Sequence, residues 1–128
     1  MKTPALGKLE LRIMQAVWNL GRCSVREIQE TFAEKSRPAY TTVQTVVGRL
    51  EAKGALRRVR KISNAHIFEA AVSREMTHRR VLDDLLAFFG GQSQPVMSHL
   101  IESGKLTHED LRNAEKALNA MTARAKGK

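Results

Sequence analysis

Leu6, Leu9, Ile13, Val17 and Leu20 recur every three or four positions, so the segment from Gly7 to Leu20 is expected to form an amphipathic helix. Gly21 stands where a left-handed C-cap would close it. Next comes Ser24-Val25-Arg26-Glu27, a capping box in which the Ser24 hydroxyl accepts from the Glu27 amide and the Glu27 carboxylate reaches back. It opens a short helix that turns Val25, Ile28 and Phe32 inward. Pro38 interrupts the stretch from Glu34 to Ala39 and makes it a tight connection. From Tyr40 to Lys53 the apolar positions Val43, Val46, Val47 and Leu50 make one helical stripe. The opposite face carries Thr41, Thr42, Gln44, Thr45, Gly48 and Arg49, with no acid before Glu51. Thr and Val are mediocre helix formers, so propensity did not select this stretch. Gly54 ends it.

The period then shifts. Leu56 to Ile62 and Ala65 to Ala70, joined by Ser63-Asn64, predict a β-hairpin with a polar turn. Leu56 and Val59 cannot share one face of a regular strand, so the pattern leaves the register open. Ser73 caps a long helix, Arg74 to Phe89, whose wide apolar stripe is Val81, Leu82, Leu85, Leu86, Phe88 and Phe89. Gly90-Gly91 stops it, and Pro95 starts a short helix with Val96, Met97, Leu100 and Ile101 that closes at Gly104. Thr107 caps a last helix that is expected to turn Leu111, Ala114, Leu118 and Met121 inward, with a frayed tail from Arg124 to Lys128. The fold class expected is mostly α with one small β-hairpin.

A chain of 128 residues has room for one domain, or one domain with a helical appendage, and not for a multi-domain enzyme. A hydrophobic fraction of 42% with 27% charged residues is that of a globular protein. The net charge is +9, which favours a polyanionic partner, nucleic acid before an anionic membrane surface. That charge is unevenly spread. Residues 1–72 hold 13 basic and 6 acidic side chains, whereas residues 73–128 hold 9 and 7. The division predicts a cationic nucleic-acid-binding domain over 1–72 and a packing or association domain over 73–128. A single cysteine, Cys23, excludes an intramolecular disulfide and any multi-thiolate metal site within one chain. No uncharged apolar run approaches the ~18 residues of a membrane span, so a soluble, cytoplasmic protein is expected. The chain has no Gly-rich phosphate loop, no nucleophile–base arrangement and no clustered carboxylate pair, which argues against an enzyme.

Three short helices with a brief connection before the third, followed by a basic hairpin, spell a winged helix-turn-helix. Its third helix suits the major groove of B-DNA. There Tyr40, Thr41, Thr42 and Thr45 present hydroxyls and methyls, Gln44 can read adenine in bidentate fashion, and Arg49 reaches a phosphate. In the wing, Arg60, Lys61, Ser63 and Asn64 touch the neighbouring backbone or minor groove. A wide apolar face outside a complete three-helix unit argues for burial against a second subunit. The candidate dimerisation residues are Val81, Leu82, Leu85, Leu86, Phe88, Phe89, Leu100, Leu111 and Leu118. The partners expected are a double-stranded DNA operator with an inverted repeat and a second copy of the chain. No cofactor or metal ligand set is read.

Leu6-Gly7-Lys8-Leu9-Glu10, Ile13-Met14, Val17-Trp18 and Ser24 to Ile28 resemble the opening of the penicillinase-repressor (BlaI/MecI/CopY) family. Ala39-Tyr40-Thr41-Thr42-Val43-Gln44-Thr45-Val46, with Arg49-Leu50, Lys53-Gly54, Ala65 and Phe68, looks like its recognition helix and wing. Phe88 to Ser93 and Leu106 to Leu111 resemble its helical dimerisation region. The resemblance implies a homodimeric repressor on a palindromic operator, beside antibiotic-resistance or metal-homeostasis genes, with DNA contacts at Thr41, Thr42 and Thr45. The antibiotic-responsive branch is released by cleavage of an Asn-Phe bond and the copper-responsive branch senses through a Cys-x-Cys pair. This chain has no Asn-Phe and only Cys23, so neither release route carries over.

Several residues have a plainer alternative. Trp18 and the Val43/Val46/Leu50 stripe are expected in the core. Cys23 is read as a quiet small residue, with a thiol activated by a helix N-terminus as the alternative. His99, Glu102, His108 and Glu109 are read as surface residues before metal ligands. The cations from Arg57 to Lys61 are read as phosphate contacts before a merely solvated strand. A protein-interaction module or a non-specific architectural DNA binder is the alternative to a sequence-specific repressor.

Overall fold

Several helix starts are set by side chains that satisfy free amides. Ser24 Oγ accepts from the Glu27 amide at 3.2 Å while the Ser24 amide donates to Glu27 Oε1 at 3.0 Å, the reciprocal pair expected. Thr107 and Asp110 repeat it at 3.1 and 3.0 Å, Ser73 Oγ accepts from the Met76 amide at 3.0 Å, and the Gly7 amide donates to Glu10 Oε1 at 2.7 Å. The computed structural model describes residues 3–127. Its elements are α1 (Lys8–Leu20), α2 (Val25–Glu30), a 3-10 turn at Glu34–Ser36, α3 (Tyr40–Ala52), β1 (Leu56–Ile62), β2 (Ala65–Ala70), α4 (Arg74–Phe88), α5 (Gln94–Glu102) and α6 (His108–Lys126). The order is the one the periodicities predict, with ends shifted by a residue. One expectation fails at the far end: α6 stays helical through Lys126 instead of fraying from Arg124, and Lys128 lies outside the described residues.

The chain divides into two compact units, Met1–Leu85 and Leu86–Lys128. In the first, α1, α2, α3 and the hairpin enclose one core. Ile13, Met14 and Val17 of α1, Ile28 of α2, and Val43, Val47 and Leu50 of α3 are buried with Leu56 and Phe68 of the strands. The strands pair antiparallel, Leu56 with Ala70 and Arg58 with Phe68, then Arg60 with Ile67 and Ile62 with Ala65. Val59 is therefore an extra residue, a bulge. The bulge accounts for the broken alternation: the extra residue at Val59 shifts the register there, so Leu56 and Val59 are not positions of one regular strand. A third strand position comes from Cys23, whose amide and carbonyl both pair with Phe68, at 3.0 and 2.8 Å.

Cys23 is buried, and its thiol is pushed up to about 11 by burial and then by the charge of Glu27. It is the quiet residue of the two alternatives. Trp18 packs against the core, as expected, from a partly buried place at its edge. Its ring is half-buried, because the indole N–H donates to the Val72 carbonyl at 3.0 Å and the ring faces serve as a platform for the start of α4. His78 meets it edge-on with centroids 5.9 Å apart, and the Arg74 guanidinium lies 5.7 Å from its centroid. Arg74 also donates to Asn19 at 2.6 Å, Arg80 donates to the Thr3 carbonyl at 2.8 Å, and Thr77 is buried. These contacts carry the first unit past Val72 and into α4.

The Leu86–Lys128 unit contains the rest of α4 with α5 and α6. None of its described residues is buried, and Leu86, Val96, Met97, Leu100 and Leu106 are partly so. Leu111, Ala114, Leu118 and Met121 do not turn inward as the sequence pattern suggests. All four are exposed, Leu118 at 63%, because a single chain offers no layer to receive them. No helix among the described residues is long and apolar enough to cross a membrane.

One polar brace fastens the two ends of the first unit's helical frame. Glu10 is 9% exposed, and its Oε1 accepts from Lys53 Nζ at 2.8 Å as well as from Gly7. Lys53 also donates to the Ala5 carbonyl at 3.2 Å, so the far end of α3 is tied to the start of α1. Burial raises the Glu10 carboxyl, but hydrogen bonds from Lys53 and Gly7 and the charges of Lys53 and Arg49 outweigh it and hold the group below its ordinary 4.5. A carboxyl lowered in the folded state adds stability that is complete above 4.5 and is lost as pH falls through the lower folded value. Glu10→Gln should therefore be less stable than the wild type at pH 7, with the gap in urea midpoint narrowing in acid, as pH falls below 4.5. An equal gap at pH 7 and in acid would show that the brace works through shape and not through charge. In the same urea titration, Leu50→Ala should cost about 2–5 kcal/mol, since it empties a fully buried site on α3.

Candidate nucleic-acid interface

α3 is the centre of the site, and its sequence divides it cleanly. Val43, Val46, Val47 and Leu50 are buried, whereas Tyr40, Thr41, Thr42, Gln44, Thr45, Gly48 and Arg49 are exposed. The connection that aims this helix is held by groups that the sequence pattern does not reveal. Arg37 Nη2 donates to the carbonyls of Glu30 and Phe32 at 3.2 and 3.0 Å, and its Nε donates to Phe32 at 3.1 Å. A cation on the carbonyl of Glu30, the last residue of α2, and on that of Phe32 just past it holds the exit from that helix. Gln29 donates to the Pro38 carbonyl at 3.1 Å and pins the other side of the turn.

The exposed residues of α3 fall on two flanks. Tyr40, Gln44 and Gly48 face the wing, and with Asn64, His66, Arg58 and Arg26 they line a cleft of about 290 Å³. Thr41, Thr42, Thr45 and Arg49 line a shallower depression on the other flank. Thr45 has less freedom than its hydroxyl suggests. Its Oγ1 donates to the Thr41 carbonyl at 2.9 Å, which leaves oxygen lone pairs to accept and a methyl to make apolar contact.

The wing sorts its cations by neighbour. Arg57 pairs with Glu69 at 2.6 Å, and Glu69 is shared with Arg22 at 3.1 Å. The Arg57 hydrogen bond, with help from Arg22, holds the Glu69 carboxyl below its ordinary value. Arg58 pairs with Glu51 of α3 at 2.9 Å, lies 3.2 Å from His66 Nε2, and stacks 5.8 Å from the Phe68 centroid. It links the wing to the recognition helix. Two of the four cations between Arg57 and Lys61 thus have acidic partners within the chain, at the surface. Arg60 and Lys61 form no ion pair among the described residues and are exposed beside Ser63 and Asn64 at the tip. Arg26, which the sequence pattern does not single out, joins them: it is exposed on α2 and lines the cleft. Its place beside Gln44 is a product of packing α2 against α3, which no local pattern encodes.

Among the described residues no three His, Cys, Asp or Glu side chains come together to hold a metal ion. The dimerisation candidates Val81, Leu82, Leu85, Phe88, Phe89, Leu111 and Leu118 are exposed, Phe88 at 82%, while Leu86 and Leu100 are partly buried.

Comparison with known proteins agrees with this geometry. The family model described as "Penicillinase repressor" matches residues 6–120. Transcriptional regulator BlaI of two Mycobacterium tuberculosis strains (CDC 1551 / Oshkosh and ATCC 25618 / H37Rv) is 30% identical over 104 residues, covering 79% of this chain and 75% of the relative. The solution structure of the DNA-binding domain of the repressor BlaI superposes with a TM-score of 0.51 at 25% identity, covering 59% of this chain and 93% of that one. The winged helix formed by α1, α2, α3 and the hairpin, and the match across nearly the whole length, establish that this chain belongs to the penicillinase repressor family, whose members are transcriptional repressors and not enzymes.

Proposed function

We propose that this DNA-binding repressor acts in the cytoplasm as a homodimer that recognises an inverted-repeat operator in a sequence-specific manner. The observation that carries the reading is the outward face of α3. It is a row of short hydroxyls, one amide and one arginine, held by a rigid inner stripe and free of acids up to Glu51. Such a face suits base edges and phosphates in the major groove, and a solvated helix has no need of it. In this reading Tyr40, Thr41, Thr42, Gln44 and Thr45 meet the groove, with Gln44 reading adenine and Arg49 on a phosphate. Arg60, Lys61, Ser63 and Asn64 hold the flanking backbone.

Exposed apolar residues support the homodimer. Leu82, Phe88, Leu118 and Met121 are each more than half exposed, and a unit that buries no residue by itself has little to hold it together. Two-fold symmetry then places half-site centres ~10 bp apart or at a multiple of that spacing. By kinship, the genes beside the operator serve antibiotic resistance or metal homeostasis.

Two measurements test the reading. In band shifts on a selected duplex and its scrambled counterpart, Gln44→Ala should lose about 1–3 kcal/mol on the selected duplex alone. Lys61→Ala should weaken both duplexes alike and flatten the salt slope by about 1. Equal losses for Gln44→Ala on both duplexes would leave a non-specific binder. In sedimentation equilibrium the wild type should be dimeric at micromolar concentration, and Phe88→Asp with Leu118→Asp should be monomeric yet still helical. A wild type that stays monomeric would remove the homodimer.

A further inference from the structure

Gly48 is a residue that its own helix does not want. It lies in the interior of α3, whereas every other glycine stands at a helix end or in a turn. Glycine is the poorest residue short of proline for such a position, because it has the most backbone freedom to lose. The fold offers no compensation. Gly48 is not among the positive-φ glycines, so the backbone does not demand it. A β-carbon placed there would meet no atom within 4 Å, so no neighbour excludes a side chain. Nothing in the described fold calls for a glycine here.

Its surroundings place it in the candidate interface. Gly48 follows Gln44 and Thr45 by one turn on the exposed side of α3, and it lines the cleft that runs to Asn64 at the wing tip. The opposite mismatch occurs at that tip. Ser63 is the one non-glycine with positive φ among the described residues, at 56°, a conformation glycine would hold with less strain. One residue lacks a side chain where the backbone would welcome it, and the other keeps one where the backbone would not. Both lie on the surface assigned above to DNA, where local rules are expected to yield to function.

We propose that Gly48 is a specificity-determining position: the missing β-carbon lets the α3 backbone close against a base-pair edge in the major groove, and any side chain holds the helix off. The inference rests on the DNA-binding reading above. It makes a paired demand, since filling the position should stabilise the free protein and weaken its recognition of DNA.

The test uses full-length wild type, Gly48→Ala and Gly48→Leu, and duplexes that the wild type selects from a random-sequence pool. Gly48→Ala should raise Tm by about 3–5 °C at equal protein concentration. Its affinity for the selected duplex should fall on the order of tenfold, and that of Gly48→Leu further, while a scrambled duplex changes by less than about threefold. Unchanged affinity of both variants for the selected duplex would overturn the inference and leave the DNA reading intact. So would an equal loss on both duplexes, which would mean general clearance without specificity. A lower Tm for Gly48→Ala would show that the fold needs the glycine after all. If the wild type selects no sequence, the DNA reading itself fails and this inference falls with it.

Discussion

Burial of Val43, Val46, Val47 and Leu50 holds α3 by one side only, and the remainder of the structure depends on that asymmetry. A helix gripped along one stripe by α1, α2 and β1 cannot rotate, so every residue on its other side has a fixed direction. Short hydroxyls and an amide then need no support of their own. The Glu10–Lys53 pair and the Arg37 cap on α2 act on the same constraint from its two ends, one fixing the finish of α3 and the other its approach. Of these charges only Glu10 is buried, and it is the one whose burial requires a partner.

The wing shows how a strongly basic strand can be both structural and available. Ion pairs with Glu69 and Glu51 engage Arg57 and Arg58 near the body of the protein. Past the Val59 bulge the strand has no acid to meet, and its last cations are left to solvent. The bulge matters because it changes which way the following residues point. Within the wing, the cations without an acidic partner among the described residues are Arg60 and Lys61, at the hairpin tip beside the cleft on α3.

In the Leu86–Lys128 unit the economy is reversed. Its apolar residues are only partly covered within the chain: Leu86, Leu100 and Leu106 are half-buried, whereas Phe88, Leu111 and Leu118 stay exposed. Capping by Thr107 and Asp110 gives α6 a firm start, and the Asp110 carboxyl is held below its ordinary value by the Thr107 amide and hydroxyl. Caps define where a helix lies along the chain, but they do not supply a core. On the proposed reading a second copy supplies it, and the spacing of two recognition helices follows from how those stripes meet.

Much of this protein was legible in its sequence because the deciding interactions are local. Ser24 with Glu27, Thr107 with Asp110, and the three- and four-residue spacing of apolar positions operate within one or two turns, so helix starts and the inner face of α3 could be read directly. Kinship was equally legible, since the Tyr40–Val46 run and its neighbours stand together in one stretch. Tertiary structure alone decided what depends on residues far apart in the chain. Cys23 pairs with Phe68, Lys53 reaches Glu10, Trp18 supports the start of α4, and Arg26 and His66 converge beside Gln44. The sequence could count the cations of the wing but not say which were taken, because an ion pair depends on where two strands and a helix meet, and a single bulged residue changes that meeting.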